Sequence, residues 1–295
     1  LGGGLRRRMQ GRAGGVGQPG GRSLFDHLLV AALDGAVALA EHDGAVGRAG
    51  GVRRHVFGGS VERTPVQWVR PDPEGERLAR TEVPALEHAA VAFAEAFASL
   101  IRLAPRPDEV PALDPPPSWA AWNHGGAGLW PRSEGSDVDL DAVPGAVWVD
   151  DAGRRARDRL RAGGSDTVIG HCDWLAGNLR WNGDELLVVH DWDSVIAESE
   201  AVLVGFAAAL HSTVSADEPA TVEDTQRFLD AYCRARGREF SADELERSWA
   251  AGVWTRACDA KSQHAAGQPI TALTEDEARR RLRRAGSSPV GSAAG

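Results

Sequence analysis

The chain has 295 residues with 42% hydrophobic content, a formal net charge of −9 and a pI near 5.5. That is enough apolar material for one large or two ordinary domains, and an acidic balance with scattered arginines argues against nucleic acid, which needs a clustered basic surface. No stretch reaches the roughly eighteen apolar residues of a membrane span, and Cys172, Cys233 and Cys258 stand far apart without a CxxC pair, pointing to neither a disulfide framework nor a zinc site and fitting a reducing cytoplasm.

Residues 1–23 are rich in Gly and Arg, the composition of a flexible lead-in rather than a signal peptide. Residues 24–83 read as a small α+β portion, with a short helix over 24–33 and brief apolar runs at 36–40, 52–57 and 66–69 as strands. Over 84–103 the apolar residues recur at helical spacing, and Pro105, Pro107 and Pro111 end the pattern. Residues 105–145, rich in Pro, Gly, Asp and Trp, read as an irregular excursion, and 147–163 resume a helix with many arginines. Residues 201–210 form an apolar run of buried-helix length, and beyond the motif region described next the chain reads as all helical. Thr221 with Asp224, Ser241 with Glu244 and Thr274 with Glu277 mark helix starts, the two Glu pairs matching the capping box, while Gly237, Gly267 and Gly286 are placed to stop the helices. Leu245, Trp249, Val253, Trp254 and Ala257 share one helical face. The larger, mainly helical portion is expected over 84–288, with a loose tail at 289–295.

The stretch GHCDWLAGNLRWNGDELLVVHDWDS at 170–194 concentrates polar chemistry around an Asn-Gly turn. Asn182-Gly183 is a strong hairpin signal, with apolar runs at 179–181 and 185–190 facing each other. The open end of such a hairpin gathers the entering loop, His171 to Asn178, and the departing residues Asp191 to Asp193. Two carboxylates and a carboxamide delivered to one place suit Mg²⁺ and a phosphate-bearing substrate, and a further carboxylate nearby can accept a proton from an attacking hydroxyl. A hydrolytic centre and a well-capped hairpin stand as alternatives on the local signals. Trp174, Trp181 and Trp192 are expected to pack rather than stack on a ligand, at least two of them. Cys172 reads as a buried small residue, and His211 and His264, without ligand spacing, as surface or satisfied core histidines.

The order His171-x-Asp173-x₄-Asn178, hairpin, Asp191-x-Asp193 resembles the aminoglycoside phosphotransferase and choline kinase family of small-molecule kinases, over roughly residues 84–285. The resemblance implies an α+β, kinase-like two-lobe fold with a reduced or truncated N-terminal lobe at 24–83 and a mainly helical C-terminal lobe. It further implies that Asp173 is the catalytic base, that Asn178 and Asp191 hold metal with Asp193 as a further candidate, and that His171 supports the loop. The implied reaction moves the γ-phosphoryl of ATP (or GTP), with Mg²⁺, to a hydroxyl of a small-molecule acceptor: an aminoglycoside, a choline-like amine, an amino acid or a sugar. No nucleic-acid or membrane partner is expected, and the location is cytoplasmic. Such enzymes carry a strand-borne lysine on the nucleotide phosphates, yet Lys261 is the only lysine here. Either Arg53, Arg54 or Arg70 substitutes or the lysine-bearing strands lie upstream of this chain; the second is the expectation. A catalytically impaired binding or regulatory relative is the alternative. Asp137, Asp139, Asp141, Glu198 and Glu200 are acids that would draw a cationic acceptor or simply face solvent.

Overall fold

The computed structural model describes residues 86–287 apart from 111–112, 114, 133–137, 164–165, 183–184 and 213–218. The lead-in at 1–23, the α+β portion at 24–83 with Arg53, Arg54 and Arg70, and the tail at 289–295 therefore lie outside the described residues. In chain order the elements are α1 (Leu86–Leu103), α2 (Val147–Arg161), β1 (Thr167–His171), β2 (Leu179–Asn182), β3 (Glu185–Val189), β4 (Val195–Ser199), α3 (Glu200–Leu210), α4 (Val222–Arg236), α5 (Ala242–Ala265) and α6 (Glu275–Arg284). The described part is thus mainly helical, with two antiparallel two-stranded sheets, β1 with β4 and β2 with β3.

Ala90, Phe93, Ala94, Phe97, Ala98 and Ile101 recur every three or four residues along α1 and are all buried, α4 being its main helical neighbour. Among the described residues the excursion after Pro105 holds only 3₁₀ turns, at Pro107–Glu109, Ser118–Ala120 and Leu140–Ala142. An arginine of α2 fastens it. Arg157, 4% exposed, donates from Nε to the Trp122 carbonyl at 2.7 Å, from Nη2 to that of His124 at 2.9 Å and from Nη1 to that of Gly128 at 2.7 Å. A segment without a ladder of its own finds backbone partners in a side chain instead.

Helix α5 lies at the centre, against α3, α2 and α6. The expected single apolar face is too narrow a description: every residue from Arg247 to Cys258 is buried, because neighbours cover the helix on all sides. Helix α3 is buried along its whole length, as its composition requires. The two helices touch through small residues, and a Cβ added to Gly205 would lie 2.2 Å from the Ser248 carbonyl oxygen, part of a backbone that cannot step aside. Gly205→Ala is expected to cost roughly 1–3 kcal/mol or more through overpacking, measured as a lower urea midpoint at unchanged m-value; an unchanged midpoint would contradict this contact.

The helix starts fall where expected. Thr221, Ser241 and Thr274 accept from the amides of Asp224, Glu244 and Glu277. Only Ser241 and Glu244 complete the capping box; the Glu277 carboxylate is drawn instead into ion pairs with Arg256 and Arg281. Gly237, Gly267 and Gly286 all take positive φ, between 68° and 72°, the left-handed stop that a glycine adopts without strain. The chain is not all helical after the motif region: β4 intervenes, pairing Val195 with His171 and Ser199 with Thr167. Five-residue strands joined across such a separation leave no local turn signal, which is why neither β1 nor β4 was expected.

Candidate active site

The hairpin forms as its Asn-Gly signal predicts, pairing Leu179 with Val189 and Asn182 with Glu185, with a register shift between Arg180 and Trp181. Beyond the strands the His190 amide donates to the Asn178 carbonyl at 2.7 Å, bringing the end of the loop beside the strand exit. The second sheet closes the same place from another side. Past the last β1–β4 pair, the Cys172 amide donates to the Ser194 carbonyl at 2.9 Å. Two sheet ends therefore meet where His171 to Asn178 face Asp191 to Ser194.

At the centre is His171, fully buried. Its Nδ1 accepts from the Asp173 amide at 3.2 Å, so the ring proton sits on Nε2 and is donated to the His190 carbonyl at 2.8 Å. Burial lowers its pKa to about 4, keeping the ring neutral and this tautomer in place at physiological pH. One imidazole thus ties the backbone of Asp173 to the residue before Asp191. Asn178, ending a 3₁₀ turn at Ala176–Asn178, donates from Nδ2 to both the Asp173 carbonyl at 2.9 Å and the Asp173 Oδ2 at 2.8 Å. With its amide nitrogen so used, Asn178 leaves Oδ1 as its acceptor end.

Asp191 has φ 61°, in the left-handed region. Among residues other than glycine, Asn and Asp tolerate this best, at a cost on the order of 1–3 kcal/mol, and such strain gathers at working sites. The surroundings enforce it: the Ser194 amide donates to the Asp191 carbonyl at 2.9 Å, and Trp192 Nε1 to the Val189 carbonyl at 2.9 Å. Asp191 and Asp193 are exposed, whereas Asp173 is half-buried.

Burial raises the Asp173 carboxyl to about 6, against the lowering effect of the Asn178 hydrogen bond, and the charges of Asp191 and Asp193 push it further up. Three acids therefore share a region of surplus negative charge. An acid of α5 feels the same charge: burial lifts Asp259 to about 7 and the charge of Asp173 pushes it further up, against the lowering effect of Arg256. Nothing in its sequence neighbourhood marks this residue except that it is an acid in the run AAGVWTRACDA at 250–260, where the helix is otherwise mostly apolar.

The other acids weighed from sequence are committed elsewhere. Asp141 accepts from the amides of Leu129 and Trp130, Asp139 from that of Asp141, Glu198 from Trp122 Nε1, and buried Glu200 from Tyr232 Oη and Arg236. They are structural acceptors, neither free solvated charge nor a cation-binding wall; Asp137 lies outside the described residues. Trp174, Trp181 and Trp192 are all buried, Trp181 stacked 5.0 Å from Phe93 and Trp174 edge-on to His171. Cys172 is buried, with its thiol pushed above the usual range by desolvation, and all three cysteines are free. His211 is a satisfied core histidine, bonded through Nδ1 to the Ala208 carbonyl, and His264 bonds the Pro144 carbonyl nearer the surface. Lys261, 1% exposed, reaches the Val143 carbonyl at 3.0 Å and Asp150 at 2.9 Å, so the only lysine is a structural clasp.

Among the described residues no three His, Cys, Asp or Glu side chains form a ready-made metal cluster. Asn178 Oδ1 with the carboxylates of Asp191 and Asp193 is a set of hard oxygen donors in surplus negative charge. That set fits Mg²⁺, which takes one or two carboxylates and completes its shell with water and phosphate.

The sequence matches no family model and no curated protein. Among solved structures it is similar to a choline/ethanolamine kinase family protein from Mesorhizobium loti, at 16% identity and a TM-score of 0.42, over 79% of this chain and 75% of that one. Among the described residues no helix is long and apolar enough to cross a membrane.

Proposed function

We propose that this chain transfers the terminal phosphoryl group of ATP or GTP to a hydroxyl of a small molecule, an aminoglycoside, choline-like, amino-acid or sugar acceptor. The observation that carries the reading is the 2.8 Å hydrogen bond from Asn178 to Asp173 at the place where strained Asp191 leaves the hairpin. In this reading residues 84–288 form the helical catalytic lobe of a kinase-like arrangement and 24–83 a smaller lobe. Three free cysteines accord with a reducing cytoplasm, and the net charge of −9 accords with a small-molecule rather than a nucleic-acid partner.

Asp173 acts as general base. Its carboxylate accepts the acceptor's hydroxyl proton as that oxygen bonds to the γ-phosphorus and the bond from phosphorus to the β-phosphate oxygen breaks, releasing the nucleoside diphosphate. Asn178 Nδ2 fixes the rotamer of the base, and His171 fixes the backbone that carries it. Asn178 Oδ1 and Asp191 would hold Mg²⁺, with Asp193 beside them. When bound, the ion supplies charge neutralisation on the phosphates.

Because the base works only when ionised, the logarithm of kcat/KM should rise with unit slope as pH increases and level off above about 6 in the free protein. A profile flat from about pH 5 to 8, a range that brackets the midpoint, would remove Asp173 from the role. The function itself is tested by ADP release with Mg²⁺ over a panel of hydroxylated amines, amino acids and sugars. Acceptor-dependent release is the expected result, and phosphoester cleavage without acceptor would point to a hydrolase. The burial of Lys261 favours one second reading, a catalytically impaired binding relative; it would show neither activity with any acceptor.

A further inference from the structure

Helices α2 and α6 both carry acids in the first turn and arginines in the last, the bias that each helix dipole favours. Their relative orientation decides whether those charges cancel. Arg159 near the end of α2 pairs with Asp243 at the start of α5, and Asp150 near the start of α2 pairs with Lys261 near the end of α5, so these two run antiparallel. The same holds for α6. Its Glu277 pairs with Arg256, and a Cβ added to Gly286 just past its end would lie 2.6 Å from the Glu246 carboxyl, nearer the start of α5. Two helices antiparallel to a third are parallel to each other, so their acidic ends coincide and their basic ends coincide.

Between them lies a groove of about 250 Å³, with Trp148, Ala152, Ala278 and Leu282 among the residues that line it. Asp151 and Glu275 stand towards one end and Arg155 and Arg283 towards the other. Arg155 also reaches the Ser287 carbonyl at 2.6 Å, and Glu275 is bound to Arg279. Among the described residues exposed Arg283 has no ion pair. Next to Trp148 is Val147, 76% exposed, the most exposed large apolar side chain among the described residues. Apolar surface gathered in one place and rimmed by charge marks a protein contact.

We propose that this groove is the contact between two copies of the chain, related by a two-fold axis lying across it. That rotation lays the acidic end of each copy over the basic end of the other, so Glu275 faces the partner's Arg283 at two equivalent places. It also sets the helix dipoles of the two copies antiparallel. A rim of one sign would repel its own copy, whereas a rim that changes sign from end to end complements it. A face two helices wide is small for a specific interface, so the association is weak, with a midpoint on the order of 10–100 μM, and it weakens as salt rises. The groove shares no residue with the Asp173 loop, and the proposal does not depend on the phosphotransfer reading.

Sedimentation velocity of the full chain across about 1–500 μM, which spans that midpoint, tests it in wild type, Arg283→Glu, Glu275→Arg and an equimolar mixture of the two variants. Wild type should dimerise, and each variant alone should self-associate about tenfold or more weakly, because like charges then meet twice. The mixture should recover the wild-type affinity, since a heterodimer again sets Glu against Arg at both places. Both side chains are exposed, and unchanged circular dichroism should show that each reversal spares the fold. A monomer at every concentration, as a groove filled by residues 288–295 of the same chain or reserved for another protein would give, overturns the proposal. Self-association indifferent to either reversal overturns it too, as does a mixture no tighter than the variants alone.

Discussion

Asp173→Asn is expected to lower phosphoryl transfer by about 10²–10⁴-fold while leaving the protein folded, and at pH 8 slightly more stable than wild type. The two effects have one cause. The folded-state pKa of Asp173, about 6, lies above the ordinary aspartate value of 3.8, so the fold prefers the neutral carboxyl. Stability from that preference is fully present below pH 3.8 and lost as pH rises through about 6. At pH 8 the charged group is a burden on the order of 1–2 kcal/mol after solvent screening, which a neutral isostere removes. Asparagine also keeps an Oδ1 able to accept from Asn178. The thermal midpoint of Asp173→Asn should exceed wild type at pH 8 by a few degrees, about 2–4 °C per kcal/mol, and the gain should vanish near pH 4. A turn-forming aspartate with no chemical role would behave otherwise, losing stability on substitution and sparing activity.

Glu277→Ala should be the most damaging single truncation in the helical part. Its carboxylate takes two bonds from Arg256, at 2.7 Å and 2.9 Å, and two from Arg281, at 3.0 Å and 2.8 Å. Both arginines are almost wholly buried, and burial together with the charge of Arg256 lowers Arg281 to about 9. Removing the shared anion leaves the two buried guanidinium groups with only carbonyl and hydroxyl acceptors, from Ala272, Ala220 and Thr225. Breaking a buried pair costs about 3–5 kcal/mol. By comparison, Glu244→Ala, which opens the capping box at Ser241, should cost only about 1 kcal/mol. Urea unfolding compares the two variants; a loss below about 1 kcal/mol for Glu277→Ala would contradict the account of this network. The arginine charges also depress the Glu277 carboxyl, so its stabilisation is present above the usual glutamate range and lost as pH falls through the lowered value.

The loop, the hairpin and its two exits were readable in the sequence because their chemistry is local. An Asn-Gly turn fixes the hairpin, and the spacing of Asp173, Asn178 and Asp191 does the rest. The same locality explains the helix starts at Thr221, Ser241 and Thr274 and the stops at three glycines. What stayed hidden depends on distant pairing. Strands β1 and β4 join across the whole motif, and Arg157 in α2 supplies backbone partners to a segment more than two dozen residues upstream. Glu277 was read as a capping residue, but two arginines from other turns outbid the helix start for its carboxylate. Asp259 was missed for a related reason, since an acid in an apolar helix means little until the distant charge of Asp173 is seen to act on it. Acids nearer the motif, Glu198 and Glu200, were given weight by proximity in sequence, and the structure spends both on internal hydrogen bonds.

The central claim is that Asn178 and Asp191 hold a divalent cation against a triphosphate beside Asp173. Mn²⁺ binding by the full chain in the presence of ATP, followed by water-proton relaxation, tests it most directly across wild type, Asp173→Asn and Asp191→Asn. ATP-dependent Mn²⁺ binding kept in wild type and Asp173→Asn but weakened about tenfold or more in Asp191→Asn is the predicted result. Binding unchanged in Asp191→Asn would contradict it.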